Sequence, residues 1–150
     1  MNLSVQKLEA VLNKAGVPES HGMSHSKMVL EHMMKALEPH NSNFVISDER
    51  KLSLLLGALL HDADDKKYFD KDSKNAYEII KESLDLVDPD CVLANHNGVI
   101  QDALMTIDYV SASKNGNRVP EIAKDFPEVL WVRFCDRLEA IGVIGAIRCY

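Results

Sequence analysis

Residues Leu52 to Asp62 read LSLLLGALLHD, and this stretch decides the architecture. Leu52, Leu55, Leu56, Leu59 and Leu60 recur at the three- and four-residue spacing of an α-helix. The segment is apolar nearly all round, broken only by Ser53 and Gly57. A helix with no polar face has no side to turn to water, so it belongs at the centre of a helical assembly. It is far shorter than the ~20 apolar residues needed to span a bilayer, and no other run is longer, so no membrane partner is expected. His61 and Asp62 follow directly, polar groups at the tip of the most apolar element.

Helical periodicity extends to both sides. Leu8, Val11, Leu12 and Ala15 share one face of a first helix, which Gly16 and Pro18 end. A second helix starts near Ser24, carries Met28, Val29, His32, Met33 and Ala36 on one face, and stops before Pro39. Ser47-Asp48 opens the central helix. A fourth is expected from Asp72-Ser73, burying Ala76, Ile79, Ile80 and Val87. Asp88-Pro89 then supplies a cap followed by proline at a first helical position, predicting a short helix to about His96 that Asn97-Gly98 closes. Val99 to Val110 suits helix or strand by pattern, and its helical surroundings favour helix. SASKNGNRVP, Ser111 to Pro120, reads as a loop. A long last helix is predicted from Pro127 to Arg148. The fold class this pattern predicts is all-α, a single helical bundle.

The bulk composition sets limits on function. A chain of 150 residues, 46% hydrophobic and 27% charged, has the size and mix of one globular domain. A net charge of -6 argues against nucleic acid as a partner, since that normally calls for a basic patch. A metal ion and a few lysines can still bind phosphate locally. Cys91, Cys135 and Cys149 are odd in number and lack a C-x-x-C spacing, which predicts reduced thiols in the cytoplasm rather than disulfides or a thiolate zinc site. The opening MNLSVQKLEA has no basic stretch followed by an apolar one, so no secretory signal is expected.

The polar residues that interrupt the helices carry the chemistry. His61 and Asp62 would point about 100° apart within a helix. Beyond a helix end both can reach one ion, where the terminal carbonyls also favour a cation. His25 precedes Met28 and Val29 by one turn, so it lies on an apolar stripe. Asp136 sits in VRFCDRLEAIG among Trp131, Val132, Leu138 and Ile141. Each has an ordinary structural reading taken singly: a capped helix end, a core histidine bonded to backbone, an aspartate partnered by Arg133 or Arg137. Their conjunction is less ordinary.

A histidine, a His-Asp pair some thirty-odd residues later and a distant aspartate resemble the pattern of the HD-domain metal-dependent phosphohydrolases. HGMSHSKMV, His21 to Val29, looks like that family's H-x-x-S-H-x-x-x-V helix start. LLLGALLHDADDKKYFD, Leu54 to Asp70, looks like its apolar helix leading into the His-Asp pair. FCDRLEAIGVIGAIR, Phe134 to Arg148, closely resembles its aspartate-bearing segment. The match is similar to the small bacterial-type subgroup that includes nucleotide pyrophosphohydrolases. Members usually continue for tens of residues beyond this helix, so a sequence ending at Tyr150 reads as a shortened or minimal form of one HD domain.

The resemblance implies a bundle of the HD type with a metal site between core helices. It implies one divalent ion (Mn2+, Co2+, Fe2+, Zn2+ or Mg2+) held by His25, His61, Asp62 and Asp136. The mixed nitrogen and oxygen donors suit the transition metals better than calcium. It implies hydrolysis of a phosphate ester or anhydride in a small molecule, a nucleotide being the expected substrate. Asp65, three residues after Asp62, matches an acidic position that orients or deprotonates water, and Asp70 is a second candidate of this kind. Lys66 and Lys67 are candidate phosphate contacts, and His96 matches a histidine that touches substrate or a second metal. Arg137 is expected to brace Asp136. His32 and His40 read as structural or exposed. Gly142 and Gly145 read as sites of close helix packing rather than a phosphate loop. Two rivals stand beside this reading: a non-catalytic metal- or nucleotide-binding module, and a di-iron oxygenase, for which His96 is the one spare histidine between Asp62 and Asp136.

Overall fold

A computed structural model describes residues 23–38, 45–62, 76–90 and 95–141. Among these residues the chain is all helix and turn, with no strand. The helices are α1 (Met23–Leu37), α2 (Asp48–Leu60), α3 (Ala76–Val87), α4 (His96–Val110), a single turn α5 (Ala112–Asn115) and α6 (Trp131–Ala140). Two 3-10 turns, Glu121–Lys124 and Pro127–Leu130, lead into α6.

Helix α2 is the centre, as its all-round apolarity requires. Ser47 caps it, its hydroxyl accepting from the Arg50 amide at 3.2 Å, and Asp48 and Glu49 complement the positive end of the helix. Leu52, Leu56, Leu59 and Leu60 are buried with Leu30 of α1, Ile79, Ile80 and Leu84 of α3, and Val99, Ile100 and Ala103 of α4. Leu54 and Ala58, on the other side, are buried with Val29 and Met33 of α1 and Val132 and Cys135 of α6. One helix therefore joins two clusters, and each leucine so buried contributes roughly 1.5–3 kcal/mol relative to exposure. Ser53 is tolerated in this core because its hydroxyl donates back to Glu49 O at 2.9 Å.

Four expectations change. Asn97-Gly98 does not close a helix but lies in the first turn of α4, which Asn95 caps by accepting from the Gly98 amide at 2.9 Å. A Cβ on residue 98 would sit 2.4 Å from Asn95 Nδ2, so this glycine makes room for the cap. The predicted short helix from Asp88 to His96 falls partly outside the described residues, and Pro89 and Asp90 form a turn. Val99 to Val110 is helical, as favoured. Ser111 to Pro120 is not wholly a loop: α5 forms within it because Asn115 Nδ2 donates to Asp108 O at 2.6 Å and Ser111 O at 3.1 Å. Gly116, at φ 54°, then turns the chain through a conformation that suits glycine. The last helix opens with a 3-10 turn at Pro127 rather than α-helix, and residues 142–148 of its expected span lie outside the described residues. Ile79 and Ile80 are buried as expected, whereas the predicted first helix and the Asp72-Ser73 start also lie outside the described residues.

No helix among the described residues is long and apolar enough to cross a membrane.

Candidate functional site

The two turns of α2 that carry Leu54, Ala58 and Leu60 drive its end deep into the bundle, and His61 follows as the C-cap residue with its side chain 1% exposed. Its Nδ1–H donates to Ala58 O at 2.8 Å. That bond fixes the tautomer and aims Nε2 away from the helix, an arrangement typical of metal-binding imidazoles. Nε2 lies 3.3 Å from His25 Nε2, 3.3 Å from Asp62 Oδ2 and 3.5 Å from Asp136 Oδ1. His25, from the first turn of α1, has Nε2 2.9 Å from Asp136 Oδ1 and 3.8 Å from Asp62 Oδ2. The two imidazoles meet edge on, with centroids 5.2 Å apart and planes at 70°. The four residues named from the sequence thus come together from α1, the end of α2 and α6.

The donor set can be tested against what an ion would require. Ligand atoms around a six-coordinate ion at ~2.1 Å stand about 3.0 Å apart when adjacent and about 4.2 Å when opposite. The five separations above run from 2.9 to 3.8 Å, and His25, His61 and Asp62 offer ligand atoms all within 4.8 Å of one another. Two neutral imidazoles and two carboxylates carry a charge of -2, which a divalent cation balances. His25, His61 and Asp62 fit such an ion, and Asp136 stands against the two imidazoles outside that tightest group.

Without an ion, protons take up part of this role. Burial by itself would lower the pKa of His61, but hydrogen bonds to Asp136 and Asp62 outweigh it and raise the pKa from 6.5 to about 10. Burial would raise Asp62, yet the His61 hydrogen bond and the positive imidazoles bring it below the ordinary carboxylate value. Burial likewise opposes the ionisation of Asp136, and hydrogen bonds from His25 and His61 hold it well below that range. The signs fix a pH dependence for the metal-free chain. A raised His61 pKa stabilises fully below pH 6.5 and progressively less up to about 10. The lowered aspartates stabilise above pH 3.8 and cease to do so in acid. The melting temperature in chelator should therefore fall between about pH 6.5 and 10, and this fall should vanish in His61→Gln. An equal fall in both proteins would show that another group is responsible.

Cys135 precedes Asp136 and is buried with Val29, Met33 and Val132. Burial, and then the Asp136 charge, push its thiol up to about 11, so without a metal it stays protonated.

The other expected site residues have other neighbours or lie outside the described residues. Nε2 of His96 is bonded to Asp88 Oδ2 at 2.7 Å, a link between the end of α3 and the start of α4. Arg137 does not brace Asp136. Neighbours in a helix diverge by about 100°, and its guanidinium donates instead to Gly116 O at 2.9 Å and Asn117 Oδ1 at 3.1 Å. Arg133 donates to Arg118 O at 2.9 Å, so the two arginines strap the turn after α5 to α6. The partners of Asp136 are the two histidines. Asp65, Lys66, Lys67 and Asp70 lie outside the described residues, as do His21, His40, Gly142 and Gly145. The sequence reading missed Glu139, which is 8% exposed and accepts from His32 Nε2–H at 2.6 Å. Its spacing three residues after Asp136 was the available signal.

No family model matches the chain, and no solved structure gives a significant match. A protein of Acanthamoeba polyphaga mimivirus, described only as uncharacterized, is 36% identical over 158 aligned positions, covering 98% of this chain. The chain spans 57% of the length of that relative.

Proposed function

We propose that this chain is a metal-dependent phosphohydrolase of the HD-domain type, acting on a phosphate ester or anhydride of a small molecule, with a nucleotide as substrate. The observation that supports it is the convergence of His25, His61 and Asp62, with Asp62 and Asp136 each 2.9 to 3.8 Å from the two imidazoles. One divalent ion is the proposed cofactor, and it would supply Lewis acidity toward a phosphoryl oxygen and lower the pKa of water.

The residues divide the remaining work. His61, locked by Ala58 O, and His25 hold the nitrogen side of the site, while Asp62 and Asp136 give it negative charge and orient the imidazoles. Asp62 is the more open of the two carboxylates, with its side chain 39% exposed against 28%, so substrate would approach on its side. Asp65 is proposed to take the proton from water as it adds to phosphorus, and Lys66 and Lys67 to hold the remaining phosphate oxygens. A di-iron oxygenase is disfavoured because His96, the histidine it would need, is engaged by Asp88.

Phosphate and pyrophosphate release from a panel of nucleoside mono- and triphosphates, with Mn2+ and with chelator, tests this reading. Turnover is expected with Mn2+ alone, and Asp65→Asn should lose most of it while still binding metal. Full turnover by Asp65→Asn would remove that role. Two irons per chain without nucleotide hydrolysis would overturn the proposal in favour of oxygenase chemistry.

A further inference from the structure

Among the described residues, helices α1 and α6 meet at a second polar point beside the first. At the first, His25 faces Asp136 at 2.9 Å. At the second, His32 Nε2–H donates to Glu139 Oε1 at 2.6 Å, with the Glu139 side chain only 7% exposed. His32 follows His25 by seven residues, which returns it to nearly the same face about 10.5 Å further along α1. Glu139 follows Asp136 by three, about 4.5 Å along α6. The second contact is therefore displaced from the first along both helix axes. One contact between two helices leaves both rotation and sliding free, whereas a second, displaced along both axes, removes them. The packing between the points is Val29 and Met33 against Val132 and Cys135, apolar side chains that tolerate small shifts.

We infer that His32 and Glu139 are positioning residues that set the register of α6 on α1 and so hold Asp136 within reach of the site formed by His25, His61 and Asp62. This rests on the proposed metal reading. A buried carboxylate bonded by one histidine specifies a single geometry, since any other leaves the charge without a partner. Apolar packing alone imposes no such penalty.

The test is Co2+ binding, read by affinity and by the visible absorption of the bound ion. His32→Leu/Glu139→Leu replaces the pair with apolar side chains of similar bulk, an exchange that commonly preserves or raises stability. It should nevertheless weaken Co2+ binding by about 10- to 100-fold, with a changed spectrum as Asp136 leaves the ion. Glu139→Gln, which still accepts from His32, should stay within about threefold of wild type, and Lys124→Gln, on the exposed surface, should change nothing. A double-leucine variant with wild-type affinity and spectrum would overturn the inference. If wild type takes up no cobalt, the metal reading fails separately. The register is then read in the metal-free chain from NMR contacts between the α1 and α6 members of the shared core, Val29 and Met33 with Val132 and Cys135, which the double variant must alter. Unaltered contacts overturn the inference there too.

Discussion

Asp62→Ala should abolish metal-dependent phosphate release, lowering it by about a thousand-fold or more, while the chain stays folded. The size follows from what a bound ion supplies: several kcal/mol of transition-state stabilisation, and ~4 kcal/mol corresponds to about three powers of ten in rate. The selectivity follows from position. Asp62 lies in the turn beyond α2 and its side chain is 39% exposed, so its removal opens no core cavity. It also leaves His61 bonded to Ala58 O and His25 to Asp136. Two measurements separate a lost ligand from a damaged fold. Without metal, the variant should melt within a few degrees of wild type. With Mn2+ at about a hundred times the dissociation constant, wild type should gain ~2.7 kcal/mol of stability and the variant almost none. Equal phosphate release from both proteins would assign the activity to a contaminant.

Gly57→Val should cause a large loss of stability although it adds apolar atoms to the central helix. A glycine inside a helix ordinarily weakens it by ~1 kcal/mol relative to alanine, so a larger residue would normally help. Here the added Cβ would sit 2.5 Å from Thr106 Oγ1, 3.3 Å from Val132 Cγ2 and 3.7 Å from Ala103 O. Thr106 cannot simply swing aside, because it is fully buried and donates to Ala103 O at 2.8 Å. The two further methyl groups of valine meet the same wall, so α2 must move away from α4 and α6. Overpacking of this kind costs ~3 kcal/mol. At roughly 2–4 °C per kcal/mol for a chain of this size, the melting temperature should drop by about 6–12 °C. Gly57→Ala should lose less, since helix propensity offsets part of the clash. Because α2 ends at His61, the displacement should also weaken metal binding. A melting temperature within two degrees of wild type would mean that α2 and α4 are less closely packed than these contacts require.

The helices were legible because their cause is local. Spacing at three and four residues placed α1 and α2 within a few positions of their observed bounds, whereas the pattern of Val99 to Val110 suited helix or strand and only its helical surroundings favoured α4; the all-round apolarity of Leu52 to Leu60 made α2 central. The reading failed where one residue type serves two purposes. Asparagine and glycine close helices and also populate their starts, and at Asn95 to Gly98 the choice depends on which amide the Asn95 side chain reaches. SASKNGNRVP looked unstructured because a four-residue turn such as α5 has too few positions to show a period.

Of the candidate site, the sequence by itself determined which side chains were out of place: His25 on an apolar stripe, His61 and Asp62 at the tip of a buried helix, Asp136 in a hydrophobic segment. A charged or polar group on a face that must be buried requires a partner, and that requirement is visible without coordinates. Which partner it finds was decided only in three dimensions. Asp136 could have paired with Arg133 or Arg137, its neighbours in the chain, but α1 and the end of α2 bring two histidines to it while the arginines turn to the carbonyls of Gly116 and Arg118. His96 was drawn to Asp88 and His32 to Glu139 by the same kind of choice. The period of a helix is set by its own backbone, whereas a pair separated by 111 residues, such as His25 and Asp136, exists only because tertiary packing brings two helices together.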